Sequence, residues 1–155
     1  MKDYENTRDL EMYVLRRFDR AGKVLGSGRL EFKGDETADA SFLRASRDRI
    51  GWFTRGPEYI EFSLDGLEIG RYNRPAGAGE WDITGIAISD ENEVVASWFG
   101  GGKAEFVVLD RENRTWTPVM LPKEHAPKWA RVLGFDGSIL LTYSKNGRLT
   151  RFHTK

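Results

Sequence analysis

The sequence contains no cysteine, only two histidines and no excess of charge of either sign. The missing cysteines exclude disulfides, thiolate metal ligands and thiol catalysis. Lys and Arg number 24, as do Asp and Glu, so the formal net charge is zero. A dedicated nucleic-acid binder would show a basic excess, and so would a polybasic membrane anchor. We therefore expect neither a nucleic-acid partner nor a membrane partner.

Long apolar runs are missing too. No stretch approaches the roughly 18 residues that would span a bilayer. Residues 1–6 are polar and lack the apolar stretch of a signal peptide. We expect a cytoplasmic location, unless the chain is part of a longer one that carries a signal.

What the sequence does contain suits one β-rich domain. It has 155 residues with 17 glycines, 12% aromatic residues and 31% charged residues. About 155 residues are the size of a single domain. Many glycines together with many aromatics are typical of short strands joined by turns.

The chain repeats with a period of about 45 residues, which is typical of repeat architectures. Two sets of three residues share this spacing: the turn aspartates Asp19, Asp65 and Asp110, and the strand-opening residues Ile50, Val94 and Ile139. A third marker is a tryptophan that opens a strand after a loop rich in Gly or Pro, at Trp81 and Trp129. The agreement of independent markers indicates one repeated unit.

Within one repeat the pattern predicts four short strands. They cover residues 83–89, 93–99, 103–109 and 115–121, with turn residues between them. Four strands in a repeat of about 40–45 residues are typical of a propeller blade. A single twisted sheet cannot bury both of its faces, whereas stacked blades bury each other.

The resemblance to a known family lies in these hairpins. Tyr59–Gly66 followed by Leu67–Ile69 is a hydrophobic strand, an aspartate, a glycine turn and a second strand. This resembles the hairpin of NHL-type and related six- or seven-bladed β-propellers, over roughly residues 12–154. The resemblance implies an all-β fold, a partial β-propeller of four-stranded antiparallel blades.

The strand count predicts about three blades in one propeller-like domain. The predicted blades are 12–32 (partial), 38–75, 81–122 and 130–153 (partial). Propellers usually have about 4–8 blades. The chain is therefore expected to be a half-ring that self-associates, or the C-terminal part of a longer propeller, because an open ring exposes apolar blade faces.

The segment Leu10–Ala21 also fits a helix. Its apolar residues recur at helical spacing, Thr7 could cap the helix and Gly22 could end it. The repeat favours a strand here, and we predict a strand.

The sequence indicates no cofactor, no metal site and no assignable catalytic residue. Two histidines without cysteine give no zinc spacing, and the acidic runs lack the spacing of a calcium loop. His153 fits a solvated terminal residue. The Gly100–Lys103 stretch lacks the pattern of a phosphate-binding loop and fits a hairpin turn.

The resemblance implies that a ligand or partner binds on one loop face around the propeller axis. The loops of that face contribute seven candidate residues: Arg55, Trp81, Asp82, Lys103, His125, Trp129 and Lys145. Rigid aromatic side chains beside charges suit a protein, a peptide or a small ligand, because such residues often supply anchor contacts.

We therefore expect a non-enzymatic β-propeller module for interaction or ligand binding. The alternative is the C-terminal half of a propeller enzyme, a hydrolase or lyase whose catalytic residues lie partly outside this chain. A third possibility is a purely structural repeat segment. A pocket near the axis that holds Asp82 and His125 would favour the enzyme.

Overall fold

The structure is a computed structural model, and it describes residues 10–33, 38–54, 58–78, 82–121 and 129–154. In these ranges all regular secondary structure is β-strand, joined by turns and loops. The predicted all-β class is therefore confirmed. Within the same ranges, no helix is long and apolar enough to cross a membrane.

The strands of the described ranges follow one another in hairpins. They are β1 (Leu10–Phe18), β2 (Val24–Lys33), β3 (Ala38–Ala45), β4 (Arg49–Thr54), β5 (Glu58–Ser63), β6 (Glu68–Asn73), β7 (Ile83–Ile88), β8 (Val94–Gly100), β9 (Lys103–Asp110), β10 (Thr115–Pro118), β11 (Ala130–Phe135), β12 (Ile139–Ser144) and β13 (Leu149–His153).

These strands form four antiparallel sheets, here called blades. Blade 1 is β1–β2, blade 2 is β3–β6, blade 3 is β7–β10 and blade 4 is β11–β13, and each strand pairs with its neighbours in sequence. In the described residues blades 2 and 3 have four strands, blade 4 has three and blade 1 has two. Consecutive four-stranded meanders that pack face to face are the architecture of a partial β-propeller, as predicted.

The segment with the helical alternative forms a strand. β1 pairs along its whole length with β2. Tyr13 and Leu15 face blade 2, where the Tyr13 ring meets the Trp52 ring at a centroid distance of 4.9 Å, whereas Val14 between them is exposed. Side chains thus alternate with a period of two, and packing against blade 2 overrides the local helical pattern.

The hydrophobic core lies between blades rather than inside one sheet. Three clusters of buried side chains each join two neighbouring blades. The largest fully buried members include Trp52, Phe62, Phe53 and Tyr59, all in blade 2. Burial of a large apolar side chain contributes about 1.5–3 kcal/mol.

Strand β8 shows how one sequence serves two interfaces. Val94 and Ala96 belong to the cluster shared with blade 2, whereas Val95 belongs to the cluster shared with blade 4. Because successive side chains of a strand point to opposite faces, a strand covered on both sides needs an uninterrupted apolar run. Residues 94–98 are all buried, and Ser97 is the one polar residue among them.

Blades 3 and 4 come into backbone contact at β7 and β11. A Cβ atom on Gly85 would lie 2.7 Å from the carbonyl oxygen of Val132. The buried Ser97 hydroxyl accepts a hydrogen bond from the N–H of Val132 at 2.9 Å. The Thr84 hydroxyl lies 3.0 Å from that of Ser97 and 3.1 Å from the carbonyl oxygen of Ala130. Glycine and small hydroxyl residues thus permit the two strands to approach.

We expect Gly85→Ala to lower the free energy of unfolding by about 1–3 kcal/mol, the usual effect of overpacking, because the added methyl group forces β7 away from β11. Urea denaturation followed by tryptophan fluorescence would measure the loss. Gly134→Ala is the matched control, because a Cβ there would meet only the Leu141 Cβ, at an ordinary 3.9 Å. Equal losses in the two variants would contradict the close approach of β7 and β11.

Candidate functional site

Two of the predicted loop-face residues lie at one end of the strands of blade 3. The N–H of Phe99 donates a 2.8 Å hydrogen bond to the carbonyl oxygen of Asp82, so Asp82 lies beside the end of β8. Lys103 opens β9 across the turn from Gly100. Its Nζ atom lies 3.1 Å from a carboxylate oxygen of Glu105, with the lysine side chain 67% exposed. Exposed pairs of this kind contribute little to stability.

Two more predicted residues lie at one end of the strands of blade 4. Ala130, the first residue of β11, pairs with Ser144, the last residue of β12. Trp129 and Lys145, which are next to them in sequence, therefore lie at the same end of the sheet. Trp129 is half-buried and Lys145 is exposed. The Thr84 hydroxyl donates a hydrogen bond to the Ala130 carbonyl oxygen, so this end of blade 4 lies beside the corresponding end of blade 3.

The strand register therefore places Asp82, Lys103, Trp129 and Lys145 on one side of the blade stack. Arg55, Trp81 and His125 lie outside the described residues, and so does any pairing of Asp82 with His125. A binding role for the loop face stays a prediction.

A buried ionic network connects blades 2 and 3. Glu61, in the middle of β5, is 1% exposed. Arg111 Nη2 donates to its Oε1 atom at 2.6 Å, and Arg111 Nε donates to its Oε2 atom at 2.9 Å. Arg49 Nη1 donates to the same Oε2 atom at 3.2 Å. The bidentate geometry is the strong form of an arginine–carboxylate pair.

Burial and these charges shift two pKa values. Burial first, and then the Glu61 carboxylate, raise the pKa of Tyr59 well above its ordinary 10.0. The Tyr59 hydroxyl donates to Glu61 Oε1 at 3.3 Å, and Gly51 opposite has no side chain to occupy its place. The hydrogen bonds with Glu61 raise the pKa of Arg111. The phenol thus stays protonated and the guanidinium stays charged.

The network continues to the turn between β7 and β8. Arg111 Nη2 also donates to the carbonyl oxygen of Asn92 at 2.5 Å. Asn92 adopts a left-handed φ of 67°, and its Oδ1 atom accepts a 2.6 Å hydrogen bond from the Ser46 hydroxyl of blade 2. The Glu61 carboxylate binds both guanidinium groups, and through Arg111 it joins blade 2 to blade 3. It is a structural site, and it holds no free nucleophile or base.

This network is not among the features predicted from the sequence, although one sign of it is present there. Glu61 interrupts the apolar run of β5 between Ile60 and Phe62. A carboxylate in a strand that is buried on both faces must be paired, because an unpaired buried charge is very unfavourable. The identity of its partner, Arg111, depends on how blades 2 and 3 stack.

Two acidic residues, Asp110 and Asp136, accept hydrogen bonds from other residues of their own turns. Hydrogen bonds from the side chain and the N–H of Asn113 lower the pKa of Asp110. Hydrogen bonds from the N–H groups of Ser138 and Ile139 lower the pKa of Asp136. Among the described residues, no three His, Cys, Asp or Glu side chains group so that they could hold a metal ion.

In the described residues, one face of blade 4 is covered by blade 3 and the other is uncovered. Val132, Leu140 and Phe152 are buried against blade 3. The opposite face, here called the open face, includes Arg131, Leu133, Ile139, Leu141, Tyr143, Leu149, Arg151 and His153. Leu149 is 61% and Leu133 is 38% exposed. The Arg131 guanidinium lies 5.4 Å from the centre of the Tyr143 ring, within the range of a cation–π contact.

Blade 4 also has an unpaired strand edge in the described residues. In blades 2 and 3 the third strand pairs with a fourth, β6 or β10. In blade 4 the third strand, β13, pairs with β12 on one side alone. Its other edge presents N–H and C=O groups that can pair with another strand. The open face and this edge form the candidate interface.

We expect Glu61→Gln to lower the free energy of unfolding by roughly 2–4 kcal/mol, because Arg49 and Arg111 lose the carboxylate that offsets their partial burial. Chemical denaturation at neutral pH would measure the change. Asp65→Asn is the control: it breaks the exposed 3.1 Å Arg17–Asp65 pair, for which we expect less than about 1 kcal/mol. Similar losses in both variants would show that the Glu61 network does not join the blades.

We expect stability to fall as the pH rises through about 10, in part because of Tyr59. The folded state holds the Tyr59 proton above pH 10, whereas the unfolded chain releases it, so each rise in pH favours unfolding. The test compares urea denaturation of the wild type and Tyr59→Phe at pH 9 and pH 11. The alkaline loss should be smaller in Tyr59→Phe and unchanged in the control Tyr143→Phe. Parallel losses in all three proteins would refute the assignment.

The comparisons with known proteins identify no family for the chain. No protein-family model matches the chain, and the comparison with curated proteins gives no match. The chain is similar to a structure of selenomethionine-substituted virginiamycin B lyase from Staphylococcus aureus, with 13% identity and a TM-score of 0.44 over 89% of this chain and 47% of that one. It is also similar to a structure of the Dos1 propeller, with 16% identity and a TM-score of 0.42 over 89% of this chain and 36% of that one. The chain thus spans less than half of either protein, and its own stacked blades are what make it a partial β-propeller.

Proposed function

We propose that the protein is a non-enzymatic β-propeller interaction module whose open face on blade 4 binds an acidic, apolar protein segment. The observation that carries the proposal is the combination, on one sheet, of exposed apolar side chains, arginines and an unpaired strand edge. Each of the three has a physical consequence for the partner.

The apolar part of the open face favours a protein partner. Leu149 pairs directly across the sheet with Tyr143, and together they form an apolar and aromatic row. The corresponding positions on the other face of the sheet are buried by blade 3. The open face therefore has the composition of a blade interface, and no blade of the described residues covers it.

The charge of the open face favours an acidic partner. Residues 129–154 contain four cationic residues, Arg131, Lys145, Arg148 and Arg151, and one carboxylate, Asp136. Asp136 lies in the turn between β11 and β12, where its hydrogen bonds with Ser138 and Ile139 already use it. The sheet is thus basic in a chain of zero net charge. Complementary charge steers association and selects among partners.

The unpaired edge of β13 suggests how the partner binds. An extended segment can add a strand to an exposed sheet edge, and its main-chain hydrogen bonds then supply affinity. A strand at this position would correspond to β6 and β10 in the other blades. Acidic side chains on that strand would lie near Arg148 and Arg151.

Self-association, which the blade count predicts, is less well supported by the charges. The outward side of blade 1 exposes Val14 and Phe18, but Arg16 and Arg29 lie on the same side. A head-to-tail contact between two copies would bring these arginines towards those of the open face. Like charges that meet at an interface oppose association.

The test uses the purified chain and a nine-residue peptide that alternates Asp and Val. A peptide that alternates Lys and Val controls for the apolar residues. We expect the acidic peptide to bind in calorimetry at low salt and the basic peptide not to bind. Arg131→Glu/Arg151→Glu should weaken binding by at least about tenfold, or ~1.4 kcal/mol, whereas Arg20→Glu, in the exposed turn of blade 1, should not.

Three results would contradict the proposal. The double variant could bind the acidic peptide as tightly as the wild type does. Sedimentation velocity could show a stable dimer that Leu149→Asp dissociates, in which case a second copy covers the open face. A single-stranded oligonucleotide could bind this face in preference to the acidic peptide, and the basic sheet would then be a nucleic-acid site.

A further inference from the structure

A cavity of about 330 Å³ lies between blades 3 and 4, on the covered side of blade 4. Most of its wall is apolar, with Val108 and Val119 from blade 3 and Phe135 from blade 4. Met120, which is 86% exposed, stands at its rim. The volume falls at the lower end of the range for small-molecule pockets, roughly 300–1,000 Å³.

One carboxylate lines this apolar cavity. The Oε2 atom of Glu93 is buried and accepts no hydrogen bond in the described part of the chain. It lies against Gly137, where a Cβ atom would be 2.5 Å from it. Gly137 has a φ of +88° and lies in the turn between β11 and β12. The glycine thus permits the turn and also leaves room for the carboxylate.

The described residues supply no counter-ion to Glu93. None of the ion pairs among them includes this residue. A second carboxylate lies near the same turn, since Glu91 Oε2 is 4.0 Å from the Cβ position of Gly137. The Arg111 guanidinium, which donates to the carbonyl oxygen of the adjacent Asn92, is paired with Glu61. A carboxylate oxygen that is buried without a donor is unfavourable, and a cationic donor would relieve it.

We infer that the cavity binds an aliphatic cation, a lysine-type side chain or a free alkylamine, with the ammonium group at Glu93 and the carbon chain along Val108, Val119 and Phe135. A metal ion suits the cavity less well. Hard cations take about six or more oxygen ligands, whereas the described residues offer no group of three acidic or histidine ligands. The apolar wall can contact the hydrocarbon chain of an alkylammonium ligand, whereas a metal ion has no apolar surface to bury there.

The experiment follows n-pentylammonium by NMR titration of the purified protein, with 1-pentanol as the uncharged ligand of equal length. We expect saturable shifts at residues 93, 119 and 135 and at least tenfold weaker binding of pentanol. Glu93→Gln keeps the shape of the side chain and removes its charge. It should weaken pentylammonium binding at least tenfold without lowering the unfolding temperature, because Oε2 accepts no hydrogen bond that the variant could lose.

A second titration separates the two sources of the cation. Tighter binding of Nα-acetyl-lysine N-methylamide than of n-pentylammonium would indicate a side chain presented by a protein. The reverse order would indicate a free amine, and both orders support the cation site. Unchanged pentylammonium binding by Glu93→Gln, equal binding of pentanol, or the absence of shifts at the cavity residues would overturn it.

Discussion

The whole structure depends on the burial of sheet faces against one another. A four-stranded sheet whose strands are apolar on both sides cannot be stable in isolation, and each blade here is covered by its neighbour. The same constraint explains the polar exceptions. Glu61 can lie in this interface only because Arg111 and Arg49 reach it, and Ser97 only because it hydrogen-bonds to Val132. On the face of blade 4 that the described residues leave uncovered, Leu149 and Leu133 are exposed.

The repeat made most of the fold predictable from the sequence. Asp19, Asp65 and Asp110 each lie at the turn between the third and fourth strand of a blade, or its equivalent in blade 1. The second markers, which include Ile50 and Ile139, lie at or next to the first residue of a second strand. A residue that recurs at one period marks the same place in each unit, because every unit solves the same packing problem. Segment Leu10–Phe18 shows the limit of local pattern, since its partner blade decides its conformation.

The candidate site was less predictable, for a physical reason. Sequence reasoning could place Asp82, Lys103, Trp129 and Lys145 at strand ends, because register fixes where a strand begins. It could not find Glu61 with Arg111, or Glu93 with Gly137, because these contacts join residues of different blades and depend on the rotation between the sheets. The exposure of Leu149 likewise depends on which elements pack against blade 4, and the strand pattern of the sequence does not show that.

Because the blades pack against their neighbours in sequence, we expect local unfolding to differ from one blade to the next. Each core cluster in the described residues joins two adjacent blades, so the stability of the stack is approximately a sum of contributions from the blades and from the interfaces between neighbours. In the described residues blades 1 and 4 each pack against one neighbour, so we expect their amide protons to exchange with solvent first. Blades 2 and 3 each pack between two neighbours, so we expect their amide protons to exchange last. A ligand bound to blade 1 or blade 4 would slow exchange in the blade that it covers.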